Sequence, residues 1–156
     1  MKLLSACVFF LLSPVLMSST VNLTCDVAVK TKTRTAEVGE ERGRAAVEIK
    51  EISDELFVKV RSEISTIDFF NVDTLVFDDT RKMSVGTNLS TGQKWEITQS
   101  SGRKKNGKIE TVTERRFFVD RGSGLIVLST EFTVSGGQLF VTASGTCLKA
   151  SSERMF

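Results

Sequence analysis

The chain has 156 residues, of which 40% are hydrophobic and 26% are charged, and its formal net charge is +2. This length and composition fit one globular domain, and they exclude both a disordered chain and a Cys-dense mini-protein. The sequence contains no His, which excludes Ser-His-Asp and Cys-His catalysis and zinc sites built on imidazole.

The first twenty residues have the order of a secretory signal peptide. Lys2 provides a charge, Leu3 to Met17 form a mostly apolar run, and Ser18-Ser19-Thr20 supply small residues for cleavage. The run is about fifteen residues long, shorter than the roughly 20 that span a bilayer. We therefore predict a signal peptide over 1–19, cleaved after residue 18, 19 or 20, and a single β domain over 20–156 that is periplasmic or secreted.

Strand-like alternation follows this segment directly. Apolar residues at odd positions from Val21 to Val29 alternate with mostly polar ones, which predicts a strand with one buried face. Residues 36–44 are charged, contain two glycines and lack a period, so we predict a loop there. Residues 47–52 and 56–61 alternate again on either side of Ser53-Asp54, which predicts a hairpin.

The middle of the chain has a denser apolar pattern. Residues 64–77 predict two strands with a bend, and a short helix is the alternative because the pair Phe69-Phe70 breaks the alternation. Met83 and Val85 indicate a further short strand, and residues 88–92 are rich in turn formers.

Two further hairpins are predicted in the last third of the chain. Asn106-Gly107 favours a type I′ turn, because both residues tolerate positive φ, and it would join strands 93–101 and 108–120. A last hairpin is predicted from 125–132 and 139–143 around Gly136-Gly137. The sequence thus predicts an all-β fold: a single antiparallel meander of about eight or nine strands, forming a barrel or sandwich of lipocalin-like size.

The cysteines indicate one disulfide. Removal of the signal peptide also removes Cys7, which leaves Cys25 and Cys147 as the single possible pair. In an oxidising compartment these two should bond and join the first strand to the last. A metal or redox site is the alternative, but neither His nor a third nearby Cys is available for it.

The most prominent cluster of charge surrounds the Asn106-Gly107 turn. Arg103, Lys104, Lys105 and Lys108 would project four cations from one hairpin tip and could dock on an anionic surface such as lipid headgroups, polysaccharide or an acidic protein. The alternative is a solvated tip without a partner. Residues 36–79 carry twelve acidic and five basic residues, whereas 80–125 carry four and ten, so neighbouring strands would also pair opposite charges.

Other constellations offer little chemistry. The sequence has no phosphate-binding glycine loop and no calcium-loop spacing, so we expect no cofactor and no metal. The pairs Asp78-Asp79 and Glu40-Glu41 are adjacent, and adjacent side chains on a strand point to opposite faces, so neither predicts an acid and base pair. We expect Trp95 and the phenylalanines to fill the core.

The layout of the chain resembles that of small uncharacterised β proteins exported by Gram-negative bacteria. The resemblance rests on a Cys in the first mature strand, on the segment Phe118-Val119-Asp120-Arg121-Gly122-Ser123-Gly124-Leu125, and on Gly145-Thr146-Cys147 near the end. It implies a periplasmic location and carries over no functional residue.

These observations favour an exported, non-enzymatic binding module that uses either a barrel mouth or the basic hairpin tip. They favour nucleic acid less as a partner, because the domain is near neutral and an exported location offers little of it. One alternative is an enzyme that acts through carboxylates or Lys, for example Asp78 with a distant Glu. Another is a structural envelope protein. A pocket with two inward carboxylates would favour the enzyme, whereas a filled interior with a cationic tip would favour surface binding.

Overall fold

Ten β-strands account for most of the structure, a computed structural model that describes residues 18–68, 70–106, 108–134 and 137–150. Their bounds are β1 Ser18–Thr33, β2 Glu37–Ile52, β3 Glu55–Ser62, β4 Asn71–Asp73, β5 Val76–Asp78, β6 Lys82–Asn88, β7 Lys94–Lys105, β8 Lys108–Asp120, β9 Leu125–Val134 and β10 Gly137–Lys149.

All ten strands belong to one antiparallel sheet. Its order is β4-β3-β2-β1-β10-β9-β8-β7-β6-β5, so each strand pairs with its neighbours in sequence and β1 pairs with β10. The sheet curls into a half-barrel, and this arrangement confirms the predicted all-β meander with the first strand beside the last. The strands number ten, more than the eight or nine predicted.

The two edge strands, β4 and β5, are separated only by Thr74 and Leu75. The chain bends there, so that β4 pairs with β3 and β5 pairs with β6. The bend packs against Gly86 of β6, where an added Cβ would lie 1.9 Å from the Asp73 carbonyl oxygen. The amide of Gln99 on β7 also donates to the Asp73 carboxylate over 3.2 Å. These contacts bring the two edges of the sheet together.

The core lies on the concave face of the sheet. Alternation puts Leu23, Cys25, Val27 and Val29 of β1 in the core, and every other strand except β5 and β6 contributes buried apolar residues to the same cluster. Ile64, Ile67 and Phe70, from the segment between β3 and β4, fill the core near Gly43 of β2. The interior is therefore packed with side chains.

The predicted disulfide joins Cys25 and Cys147. These residues are direct cross-strand partners in the β1–β10 ladder, and their Cα atoms are 3.9 Å apart. Both cysteines are buried in the core. The bond fastens the first strand of the described chain to the last, as the cysteine count predicted.

One local prediction needs correction. Residues 37–44 belong to β2 and do not form a loop, because their backbone pairs with β1 although nearly all their side chains are exposed. An exposed strand has no buried face, so its sequence lacks the alternation by which strands are recognised.

The segment 64–77 begins with a turn, in which the Asp68 N–H donates a hydrogen bond to the Ile64 carbonyl over 3.0 Å. The chain then forms β4 and β5 with a bend between them. The predicted pair of strands with a bend is therefore present.

The predicted signal peptide lies almost wholly outside the described residues, and its cleavage positions fall at the start of β1. Gly107 and Gly136 of the predicted turns also lie outside them, while Asn106 has the expected positive φ of 51°. In the described ranges, no helix is long and apolar enough to cross a membrane.

Candidate functional site

A concave pocket of about 480 Å³ lies at the end of the half-barrel where β1 and β10 are joined by the disulfide. We call it the mouth. Its lining comes from β1, β7, β8, β10 and the turn between β8 and β9. The lining residues are Val21, Leu23, Trp95, Val119, Asp120, Arg121, Gly122, Ser123, Gly124, Cys147, Leu148 and Lys149.

The floor of the mouth is apolar. Val119 is the direct cross-strand partner of Trp95, and both residues lie on the face of the sheet that carries the core. Leu23 and Cys147 are buried beside them. Trp95 is only partly buried and packs against the core from its open side, so the predicted core role of this residue is confirmed in part. The mouth therefore begins where the packed interior ends.

Trp95 carries a polar group without a partner. Its indole Nε1 is buried and has no hydrogen-bond partner among the described residues. The guanidinium carbon of Arg121 lies 4.0 Å from the ring centroid, in a cation–π contact. An Arg121 nitrogen also lies 3.9 Å from a Glu51 carboxylate oxygen. Arg121 thus covers the ring, held only by weak contacts of its side chain.

The turn that forms one rim of the mouth is held in place by hydrogen bonds. The Asp120 carboxylate accepts hydrogen bonds from the N–H groups of Gly122 and Ser123 and from the Ser123 hydroxyl. The Ser123 hydrogen bonds, first from its backbone and then from its side chain, hold the pKa of Asp120 below its usual value. This carboxylate is therefore committed to the turn.

Gly124 attaches the same turn to β10. Its carbonyl accepts from the Cys147 N–H over 2.8 Å, and its φ is +71°. An added Cβ would lie 2.4 Å from the Cys147 carbonyl oxygen, so a residue without a side chain is required there. The rim is consequently a rigid feature next to the disulfide.

The other rim, at the end of β10, is open and cationic. Leu148 is 79% exposed, and Lys149 is exposed and makes no ion pair within the described ranges. Lys149 and Arg121 together place two cations over the apolar floor of the mouth. Neither residue was among the site residues predicted from the sequence.

The structure divides the four predicted cations of the hairpin tip. Lys104 forms an ion pair with Asp78, and Lys105 lies 3.6 Å from a Glu110 carboxylate oxygen. Arg103 and Lys108 are exposed and make no ion pair with a described residue. The tip therefore retains two unpaired cations, and Asp78, the carboxylate of the suggested catalytic pair, forms an ion pair with Lys104.

A second concavity, of about 540 Å³, crosses β6 to β10 on the face opposite the core. Glu114 and Glu131 are direct partners there, and the hydroxyl side chains of Thr98, Ser129 and others surround them. Arg116 in this groove donates two hydrogen bonds to the Glu96 carboxylate, of 2.6 and 3.0 Å. No cluster of three potential metal ligands occurs in the described part of the chain.

Comparison with protein-family models, with curated proteins and with solved structures gives no match for this chain.

Proposed function

We propose that the protein is an exported binding module whose mouth takes an amphipathic anion, a molecule with an apolar body and a carboxylate or phosphate head. The observation that carries this proposal is the buried Trp95 N–H without an acceptor, located under Arg121 at an apolar pocket. The cysteine pair and the N-terminal segment support export.

The chemistry of the lining selects the ligand class. Val21 and Trp95 are only partly buried and Leu148 is 79% exposed, so these residues offer apolar surface that gains free energy when a hydrocarbon displaces water. Arg121 and Lys149 offer two cations at the rim, and the indole offers one N–H donor. An anionic head would draw Arg121 off the ring, because a charge-assisted hydrogen bond is stronger than a cation–π contact exposed to water.

The groove across β6 to β10 fits this role less well. Glu114 is exposed and its hydroxyl neighbours can bond to water. Arg115 makes no ion pair with a described residue but is only partly buried, so no fully buried polar atom of the groove lacks a partner as the indole nitrogen does. The mouth combines burial, apolar surface and an unmet donor, which is the pattern of a small-ligand site.

The mouth is tested by titration with dodecanoate below its micelle concentration. Trp95 is the only Trp of the chain, so its fluorescence should change as Arg121 leaves the ring, and calorimetry should give one site per chain. Dodecyltrimethylammonium has the same apolar body with the opposite charge, and it should bind more weakly. Arg121→Gln or Lys149→Gln should each weaken dodecanoate binding about 10-fold, as expected for the loss of one charge-assisted hydrogen bond.

Lys59→Gln, on the exposed face of β3, is the matched control and should bind dodecanoate like the parent protein. Calorimetry is the deciding readout, because Arg121→Gln alters the fluorescence of Trp95 by itself. The proposal is overturned if dodecanoate shows no saturable binding, or if the cationic detergent binds equally well. Unchanged urea midpoints would show that the variants are folded.

A further inference from the structure

The end of the molecule away from the mouth combines cations with exposed apolar side chains. Lys104 joins two turns there: its ammonium pairs with Asp78, and its backbone N–H donates to the Arg81 carbonyl over 2.7 Å. The β5–β6 turn and the β7–β8 hairpin tip therefore form one surface. We call this surface the basic end and define it by its exposed residues Val76, Phe77, Arg81, Lys82, Arg103, Lys105, Lys108 and Ile109.

The cations of the basic end are not balanced by the acids around them. Residues 78–82 and 103–110 contain six basic and three acidic residues. Asp78 pairs with Lys104, and Glu110 pairs with Lys105. The Asp79 carboxylate accepts hydrogen bonds from backbone N–H groups of its own turn. Arg81, Lys82, Arg103 and Lys108 make no ion pair with a described residue, which leaves a surplus of positive charge.

Two of these cations face each other. Lys82 and Arg103 are direct cross-strand partners, so their side chains emerge on the same face of β6 and β7. Like charges in this position destabilise a sheet unless an anion neutralises them. Phe77, which the register places on this same face, is 51% exposed, and Ile109, the partner of Lys104 on the other face of the tip, is 48% exposed. Cations beside exposed apolar side chains are typical of proteins that bind the surface of an anionic bilayer.

We infer that the basic end docks on an anionic lipid bilayer, with its cations at the headgroups and with Phe77 and Ile109, one from each face of the sheet, entering the interface. The surplus charge complements anionic lipid, and the apolar side chains gain free energy when the hydrocarbon layer of a bilayer removes them from water, which an anionic polymer does not do. This inference does not depend on the mouth, which lies at the other end of the half-barrel.

The test is sedimentation with vesicles of phosphatidylcholine alone or mixed with phosphatidylglycerol. We expect binding that requires phosphatidylglycerol and weakens with salt. Arg103→Gln/Lys108→Gln should reduce the partition coefficient roughly 10- to 30-fold, since each cation contributes about three- to fivefold. The control Lys50→Gln/Lys59→Gln makes the same charge change on β2 and β3, away from the basic end, and should have a smaller effect.

The apolar contribution needs its own pair of variants. Phe77→Ser/Ile109→Ser should weaken the binding that persists at high salt, whereas Val38→Ser, an exposed position on β2, should not. The inference is overturned if neither vesicle binds, or if both charge variants lose binding equally. It is also overturned if dextran sulfate competes fully while the apolar variants bind like the parent, because the partner would then be an anionic polymer.

Discussion

Glu96 is the only carboxylate of the described residues that is almost fully buried, at 4% exposure. It lies on the face of β7 opposite the core and is enclosed by its partners: Lys94 forms an ion pair with it, and Arg116 binds it with two hydrogen bonds. The hydrogen bond from Lys94 is the largest cause that holds its pKa below the usual value, with Arg116 acting in the same direction against burial. A carboxylate in this state stabilises the fold only while it is ionised.

We expect Glu96→Gln to lower the free energy of unfolding by about 1 to 3 kcal/mol at pH 7, since two cations lose their charged acceptor. Because the folded pKa is depressed, the stabilisation by Glu96 is fully present above its unfolded pKa of about 4.3 and is lost as the pH falls through the lower folded value. The difference between parent and variant should therefore shrink towards pH 3 in urea titrations. Glu48→Gln, at an exposed position on β2, should show neither effect.

At the scale of the elements, the bend between β4 and β5 determines how the sheet curls. This bend lies directly on Gly86, and Gln99 holds Asp73 from the neighbouring strand. A side chain at residue 86 would meet backbone atoms, which cannot move aside as a flexible side chain can. The closeness of the two sheet edges thus depends on one residue of β6.

We expect Gly86→Ala to destabilise the protein by about 1 to 3 kcal/mol, the usual cost of overpacking. Gly39→Ala in β2 is the matched control, because a Cβ there meets nothing within 4 Å, and it should change stability by about 0.5 kcal/mol or less. Urea unfolding of both variants measures the difference. Equal stabilities would show that the bend can shift without cost.

The sequence predicted strands wherever one face is buried, as in β1 and in the hairpin of β2 and β3, because burial imposes alternation. It did not predict the part of β2 before Ala45, where the strand is exposed. It named a barrel mouth as one candidate site but none of the residues that line it, and one reason is a bulge: the β7–β8 register shifts between Arg103 and Lys104. That shift pairs Trp95 with Val119 instead of Phe118, and it places Arg121 on the face of Trp95. No signal in the sequence marks this extra residue.

The hairpin tip shows the same limit for the candidate site. The cluster of cations was visible in the sequence, and the turn at Asn106 was predicted from residues that accept positive φ. The pairing of Lys104 with Asp78 was not predicted, because these residues are 26 positions apart and the order of the strands is what brings them together. Ion pairs between distant elements can be predicted only once the order of the strands is known.

At the scale of the whole molecule, the Cys25–Cys147 bond joins strands that are 122 residues apart in sequence. It lies under the floor of the mouth, and the Cys147 N–H also holds the rim through Gly124. In the chain-entropy account, a loop of this length contributes roughly 4 to 5 kcal/mol to stability. Stability and the shape of the mouth therefore depend on the same cysteine.

We expect Cys25→Ala/Cys147→Ala to lower the free energy of unfolding, measured by urea titration, by about 3 to 5 kcal/mol. The variant should also bind dodecanoate less tightly. Cys7→Ala is the control, since Cys7 should leave with the signal peptide. Mass spectrometry of the exported parent protein should show a first residue between 19 and 21 and a mass two hydrogen atoms below that of the reduced form. Free thiols at both cysteines, or a retained residue 1, would contradict the prediction.

The shortness of β4 and β5 has a consequence for behaviour at high concentration. Each is three residues long, and together they are the two outer strands of the sheet. Unpaired backbone at the border of a sheet is the template on which other chains add strands, so β4 and β5 offer little of it. The longer edge of β2 that extends past β3, residues 37–43, is also unpaired, but it is lined with charged side chains that oppose the addition of a strand. Concentrated protein should accordingly resist polymerisation into fibrils, even though most of its backbone is in strands.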